Sequence, residues 1–108
     1  MVIEDKKRTA YRALVTQVLE GDGRASRAAR RSAFENSGLD EPLSTMIDKV
    51  ARQPARVTDE DIAAVLASGI SEDQTFELVV CAAIGAATRQ YEVALHTLEE
   101  AMIDKKKE

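Results

Sequence analysis

The chain has 108 residues and a formal net charge of −4, from 15 basic and 19 acidic side chains. This size predicts a single domain, and the acidic balance argues against nucleic acid or an anionic membrane as the main partner. A single cysteine, Cys81, excludes an intramolecular disulfide, a Cys-x-x-Cys redox motif and a cysteine-rich zinc site.

The opening residues "MVIEDKKRTA" carry charge from the fourth position and contain no apolar stretch of signal-peptide length. The apolar run in the first predicted helix is about half of the ~20 residues that cross a membrane. We therefore expect a cytoplasmic protein without a membrane partner.

Helical spacing of apolar residues predicts five helices and no strand. The first covers 5–20 and stops at the glycines of "GDG". The second is an arginine- and alanine-rich segment over 24–36. A third helix is capped by Asp40, carries Pro42 in its first turn and stops by Gln53.

Two capping signals introduce the remaining helices. After a short extended link at 55–57, Thr58 caps a helix with three carboxylates in its first turn, and Gly69 ends it. Ser71 and the glutamine three residues later have capping-box spacing and start the longest helix, roughly 72–103. The charged tail, 104–108, is expected to fray.

The longest helix has two halves. Residues 78–87 are apolar or small all round, which predicts enclosure on every side. Beyond them Tyr91, Leu95, Leu98 and Met102 form a one-sided pattern. The fold class predicted is therefore an all-α, single-domain bundle over 1–108, and an alanine-rich helix of this kind often completes its burial against another subunit.

Cys81 is the first candidate for chemistry. A reactive thiol needs a helix N-terminus, a cation or a histidine beside it, whereas Cys81 lies about ten residues into its helix with Glu77 one turn away. Arg89 lies about 12 Å and His96 about 22 Å along the same helix. The sequence therefore favours a buried structural cysteine; a partner from another helix or chain is the alternative.

His96 is the only histidine, and it falls on the polar side of the helix among Glu92, Glu99 and Glu100. Carboxylates at these spacings favour a charged imidazolium on a solvated face. The alternative is a metal site formed by His96, Glu92 and Glu99, completed by a symmetry-related copy. With one histidine per chain, we predict neither a metal nor a cofactor.

The second helix crowds arginines on one side, with an aromatic residue in the same arc where cation–π contact is in reach. These residues are Arg24, Arg27, Arg30, Arg31 and Phe34. A solvated surface is the simpler interpretation. A binding face for a subunit, a protein partner or a small anionic ligand is the functional one.

The order of motifs from Pro42 onward resembles a known superfamily. The stretch reads "PLSTMIDKVARQPARVTDEDIAAVLASGISEDQTFELVVCAAIGAATRQYEVAL". It is similar to the helical repeat of alkylhydroperoxidase D-like (AhpD-like) and carboxymuconolactone decarboxylase-like proteins, over 42–103. The resemblance implies an all-α domain that forms a dimer or a higher, ring-like oligomer.

The resemblance does not carry the superfamily's peroxidase chemistry over to this chain. That chemistry uses a glutamate, a Cys-x-x-Cys motif and a histidine, and the segment before the matched region, "GDGRASRAARRSAFENSG", has neither cysteine nor histidine. We expect a protein that binds a small molecule or a partner without catalysis. The alternatives are a cofactor-free lyase or isomerase using Glu77, Arg89 or His96 across an interface, and a one-cysteine peroxidase using Cys81.

Overall fold

A computed structural model describes the backbone of residues 2–107 and the side chains of residues 6–105. Over this range the chain is all-helical, as the sequence predicts, with five α-helices and one 3-10 turn at Pro54–Arg56. The α-helices are α1 Val2–Glu20, α2 Arg27–Glu35, α3 Leu43–Arg52, α4 Asp59–Ala67 and α5 Glu72–Lys107.

The predicted capping signals are confirmed for the last two helices. The Thr58 hydroxyl accepts from the backbone N–H of Asp61 at 3.2 Å, and the Asp61 carboxylate accepts from the Thr58 N–H at 2.9 Å. Ser71 and Gln74 make the same reciprocal pair, at 3.1 and 2.9 Å. At the start of each of these helices, two backbone amides that lack a partner within the helix are therefore hydrogen-bonded to side chains.

Several boundary predictions need correction. Asp40 does not cap the third helix, since Pro42 holds the N-cap position without a side-chain hydrogen bond. The second helix begins at Arg27, because Ser26 caps it by accepting from the Ala29 amide at 3.1 Å. The link at 55–57 is not extended, since Pro54–Arg56 forms a 3-10 turn. The tail expected to fray continues α5 through Lys107; the last residue lies outside the described range.

Helix α5 is the longest helix, and the other four α-helices pack against it. Its 36 residues, at 1.5 Å per residue, account for most of the 59 Å longest dimension. The core surrounds its first half, and Val18 and Leu19 of α1 lie at its edge. The buried core residues are Ala25, Ala33, Leu43, Met46, Ile47, Val65, Leu78, Cys81 and Ala82.

Helix α2 lies unusually close to α5 at Gly85. A Cβ at position 85 would stand 2.0 Å from the carbonyl oxygen of Phe34 and 2.9 Å from its Cα. The Arg89 guanidinium donates to the same carbonyl at 2.7 Å. Ala82 and Ala33 are fully buried beside this contact. Small residues therefore allow the two backbones to approach.

Helix α1 packs antiparallel to α5. Near the end of α1, the Val18 carbonyl accepts from the Cys81 thiol at 3.7 Å. About two turns earlier, Tyr11 stacks on Tyr91 with ring centroids 6.3 Å apart, and its hydroxyl is hydrogen-bonded to Thr88. As α1 advances, its contacts therefore move backward along α5.

The prediction that 78–87 is enclosed on every side is wrong for a single chain. Ala83 and Ala87 are exposed, and the uncovered side continues into the second half, where Leu98 and Met102 are 57% and 56% exposed. The reason is geometric: α1 packs on one flank of α5 and α2, α3 and α4 on others, so one side has no neighbour. The predicted oligomer is one means of covering it.

By length and composition alone, the stretch Glu72–Lys105 of α5 is apolar enough to cross a membrane. This is weak support for a membrane span, since the core helix of a soluble protein meets the same criteria.

The α2–α5 contact leads to a stability prediction. Gly85→Ala is expected to lower the free energy of unfolding by about 1–3 kcal/mol because the added methyl overlaps backbone that cannot yield. Helix propensity alone would give the opposite sign, about 1 kcal/mol of stabilisation. Urea unfolding at fixed protein concentration measures the change, with Ala13→Gly on α1 as the propensity control. A more stable Gly85→Ala variant would contradict the close approach.

Candidate functional site

An apolar groove of about 780 Å³ lies between α3, α4 and α5. Its lining is mainly aliphatic and small. The apolar lining residues are Met46, Val50, Ala51, Pro54, Val57, Ile62, Leu66, Phe76, Val79, Ala83, Ala86 and Ala87. An apolar concave surface of this volume is the usual form of a small-molecule site.

The groove is open along one side and carries a few polar groups. Phe76 is 70% exposed and Ile62 is 40% exposed at its margins. Arg52, Glu72, Thr75 and Gln90 complete the lining, while Thr75 is buried and donates to the Ser71 carbonyl at 2.8 Å. The surface therefore suits an apolar molecule with a polar end.

A second depression, of about 520 Å³, lies between the α2–α3 connection and α3 and is lined mainly by polar residues. Its carboxylates already have partners: Glu41 binds the Ser44 and Thr45 hydroxyls, and Asp48 accepts from Asn36 at 2.8 Å. These groups hold the connection to α3 together, so the apolar groove is the better candidate site.

Cys81 lies in the core, 1% exposed. Burial raises the pKa of its thiol; the positive charge of Arg30 acts in the opposite direction and the negative charge of Glu77 adds to the increase. A protonated, enclosed thiol is a poor nucleophile. The interpretation of Cys81 as a structural residue therefore agrees with its environment.

The arginine cluster is distributed between the interior and the surface. Arg30 is only 5% exposed, and its guanidinium donates to the carbonyls of Val18 at 3.2 Å and Gly21 at 2.7 Å. These carbonyls belong to the end of α1 and the turn after it, where carbonyls lack helical partners. Its Nε has no hydrogen-bond partner within the described residues. Arg30 therefore joins α1 to α2.

The remaining members of the predicted face are also used within the chain. Arg27 and Arg31 pair with Glu20 at 3.6 and 3.1 Å, and all three side chains are about half exposed or more. Phe34 is partly buried against the core. The expectation of one solvated basic face is therefore wrong for Arg30, and binding by the five residues of the predicted face stays a prediction.

Glu77 holds the start of α2. Its carboxylate accepts from the Ala25 amide at 2.6 Å and from the Arg24 amide at 2.8 Å. These two backbone hydrogen bonds, the Ala25 bond first, hold the pKa of Glu77 below its ordinary value, with Arg30 and Arg24 as further positive charges. Because the Glu77 carboxylate accepts from two backbone amides, it anchors the segment before α2 and has a structural role.

The other candidate residues stand apart from the groove. His96 is exposed and pairs with Glu100 at 3.0 Å on the polar side of α5. Among the described residues, no three His, Cys, Asp or Glu side chains form a group that could hold a metal, so Glu92 and Glu99 do not complete a site with His96 in one chain. Glu77 and Cys81 are neighbours on consecutive turns of α5, but the structure brings neither of them together with His96 or Arg89 in one site.

Sequence reasoning did not identify the groove. Its signal was present in Phe76 and Val79, which precede or open the apolar run of α5, and in Val57 and Ile62 around the Thr58 cap. The sequence pattern predicts core positions for these residues, because periodicity cannot distinguish an apolar side chain that packs against another helix from one that lines a groove.

Compared with models of known families, with curated proteins and with solved structures, the chain has no significant match.

The Glu77 anchor predicts a pH-dependent stability. Because its pKa is lower in the folded chain than in the unfolded chain, its stabilisation is present above the unfolded value and is lost as the pH falls through the folded value. Glu77→Gln should therefore destabilise the protein at neutral pH by roughly 1–3 kcal/mol, the range for hydrogen bonds to a charged group. The deficit should shrink as the medium is acidified below the unfolded pKa.

Urea unfolding of both proteins across acidic and neutral pH measures this deficit. The matched control is Glu99→Gln, which removes an exposed carboxylate from the same helix. A deficit that is constant with pH would argue against an ionised anchor.

The burial of Cys81 predicts slow modification. A thiol reagent should label it at a rate set by opening of the fold, far below its rate in denaturant. Cys81→Ala with Ala83→Cys moves the thiol two positions to an exposed site on the same helix and should label at once. Rapid labelling of native Cys81 would contradict the structural interpretation and revive the one-cysteine peroxidase alternative.

Proposed function

We propose that this chain is a self-associating helical binding protein that takes a mainly apolar small molecule in the groove between α3, α4 and α5. The observation that carries the proposal is the groove itself, about 780 Å³ and lined by aliphatic side chains from three helices. Arg52, Glu72 and Gln90 offer polar contacts to one end of the ligand. A ligand of this kind gains affinity by burying apolar area that water now covers.

We further propose membership of the alkylhydroperoxidase D-like and carboxymuconolactone decarboxylase-like superfamily, in a branch without thiol peroxidase chemistry and located in the cytoplasm. The motif order over 42–103 supports the relationship. The enclosed, protonated state of Cys81 supports the absence of peroxidase chemistry.

The lyase alternative finds little support within one chain. Glu77 is bound to two backbone amides, Arg89 donates to the Phe34 carbonyl, and His96 pairs with Glu100. Glu77 and His96 are separated by about 28 Å along α5. Three groups in separate environments cannot act on one small substrate, so the binding function is the better account.

Titration calorimetry with 8-anilinonaphthalene-1-sulfonate tests the groove. This probe combines an apolar ring system with one anionic group, and we expect saturable binding with one site per chain. Ile62→Lys puts a charge at the groove margin and should weaken binding at least about tenfold, the equivalent of ~1.4 kcal/mol. The circular dichroism spectrum should be unchanged, because Ile62 is 40% exposed.

The matched control is Val93→Lys, which puts the same charge at a more exposed apolar position, 68% exposed and outside the groove. It should bind the probe as the unchanged protein does. Equal losses in both variants, or no saturable binding at all, would overturn the groove as the binding site.

A further inference from the structure

One side of α5 is apolar along nearly its whole length and is not covered by any other helix within the part of the chain that the structure describes. At 100° per residue, a set of its side chains falls within about 60° of arc: Phe76, Val80, Ala83, Ala87, Ala94 and Leu98. All are exposed except Val80, which is half-buried. We call this surface the open face. It borders the groove, since Phe76, Ala83 and Ala87 belong to both.

The open face follows a seven-residue repeat. Positions 80, 87, 94 and 101 are Val, Ala, Ala and Ala, and positions 76 and 83, with Gln90 and Thr97, form the second register. Alternating spacings of four and three residues are the pattern by which two helices pack along a shared seam. Alanine on this seam permits close approach of the backbones. The expected partner is therefore a long helix.

The charges decide which helix that is. No charged residue lies within the open face between positions 74 and 104, but Glu72 and Asp73 flank its beginning and Lys105 stands at its end. A second α5 laid antiparallel places its Lys105 beside Glu72 and Asp73, and the reverse pair forms at the other end. A parallel second copy would put like charges together. The helix dipoles also favour the antiparallel arrangement.

We propose that the open face binds the same face of a second copy, antiparallel, about a two-fold axis near Ala87 and Gln90. This register matches sizes as well as charges, since the large, exposed Phe76 meets Ala101 of the partner subunit. Both copies use one patch, as a two-fold interface requires.

The contact has the size of a small interface. An overlap of about 45 Å between helices about 10 Å wide offers roughly 450 Å² per subunit directly. Ile62 of α4, exposed at the groove margin, adds to this area. A standard specific interface buries about 800 Å² per partner, so we expect a dimer at the weaker end of the range, whose population depends on protein concentration.

The second copy would also complete the groove. Its α5 lies against Phe76, Ala83 and Ala87, which form the open margin of the groove, and so separates the bound molecule from water. The inference rests on the proposed binding function in this respect, but the dimer itself forms without ligand. Its tests therefore use the ligand-free protein and can fail while probe binding persists.

Light scattering during size-exclusion chromatography tests the assembly. We expect twice the 11.8 kDa chain mass, or an even multiple of it. Ala87→Glu brings two carboxylates together at the axis and should yield the monomer with unchanged helicity, weakening association at least about a hundredfold. Ala28→Glu, on the exposed side of α2, is the matched control and should keep the mass.

Cysteine cross-linking tests the orientation. In a Cys81→Ala background, Gln90→Cys lies near the axis and should form a disulfide with its own copy. Two Ala101→Cys residues should not, because they are about 38 Å apart by helix rise, far beyond the ~7 Å limit for a disulfide. Mixing Ala101→Cys with Phe76→Cys should give the mixed disulfide.

Several results would overturn the inference. They are a monomer or an odd-numbered assembly of the unchanged protein, an unchanged mass in Ala87→Glu, and self-cross-linking of Ala101→Cys, which indicates a parallel pair. Loss of probe binding alone, with the dimer and its cross-links intact, would refute the proposed function and leave the interface standing.

Discussion

The close approach of α2 to α5 is the constraint on which the rest of the molecule depends. Gly85 lets the Phe34 backbone lie where a side chain would otherwise stand, and Arg89 fixes that backbone through its carbonyl. About two turns earlier on α5, Glu77 anchors the chain that enters α2, and the Arg30 side chain of α2 donates to a carbonyl at the end of α1. Glu77, Arg89 and Arg30, which the sequence offers as candidates for catalysis or binding, therefore serve to orient three helices.

This arrangement has a consequence for function. With α1, α2, α3 and α4 all packed on other flanks of α5, the remaining side of the helix is left apolar and uncovered within the described residues. The groove and the open face are two parts of that side, and Phe76 belongs to both. Ligand binding and self-association are thus coupled by position: a molecule in the groove would lie beneath the helix of a second copy. The reactive groups of the chain are elsewhere, paired or enclosed.

The all-helical class and the caps at Thr58 and Ser71 could be predicted because local spacing determines them. The buried state of Cys81 followed from its distance to any cation on its own helix. The role of Arg30 could not be predicted, because its partners are carbonyls of α1 that only the tertiary fold brings near. The enclosure of 78–87 was predicted wrongly for one chain, since an apolar circumference does not reveal whether the last neighbour is the same chain or another.

Amide hydrogen exchange along the second half of α5 tests most directly the claim that its uncovered side is a binding surface. In a single chain, positions 91–103 are mostly exposed within the described residues, with Tyr91 stacked on Tyr11 of α1, and they should open readily. If a second copy covers them, protection in this segment should be high in concentrated protein and should decrease on dilution, while Met46 and Ile47 in the core stay protected throughout. Fast exchange at every concentration would contradict the account.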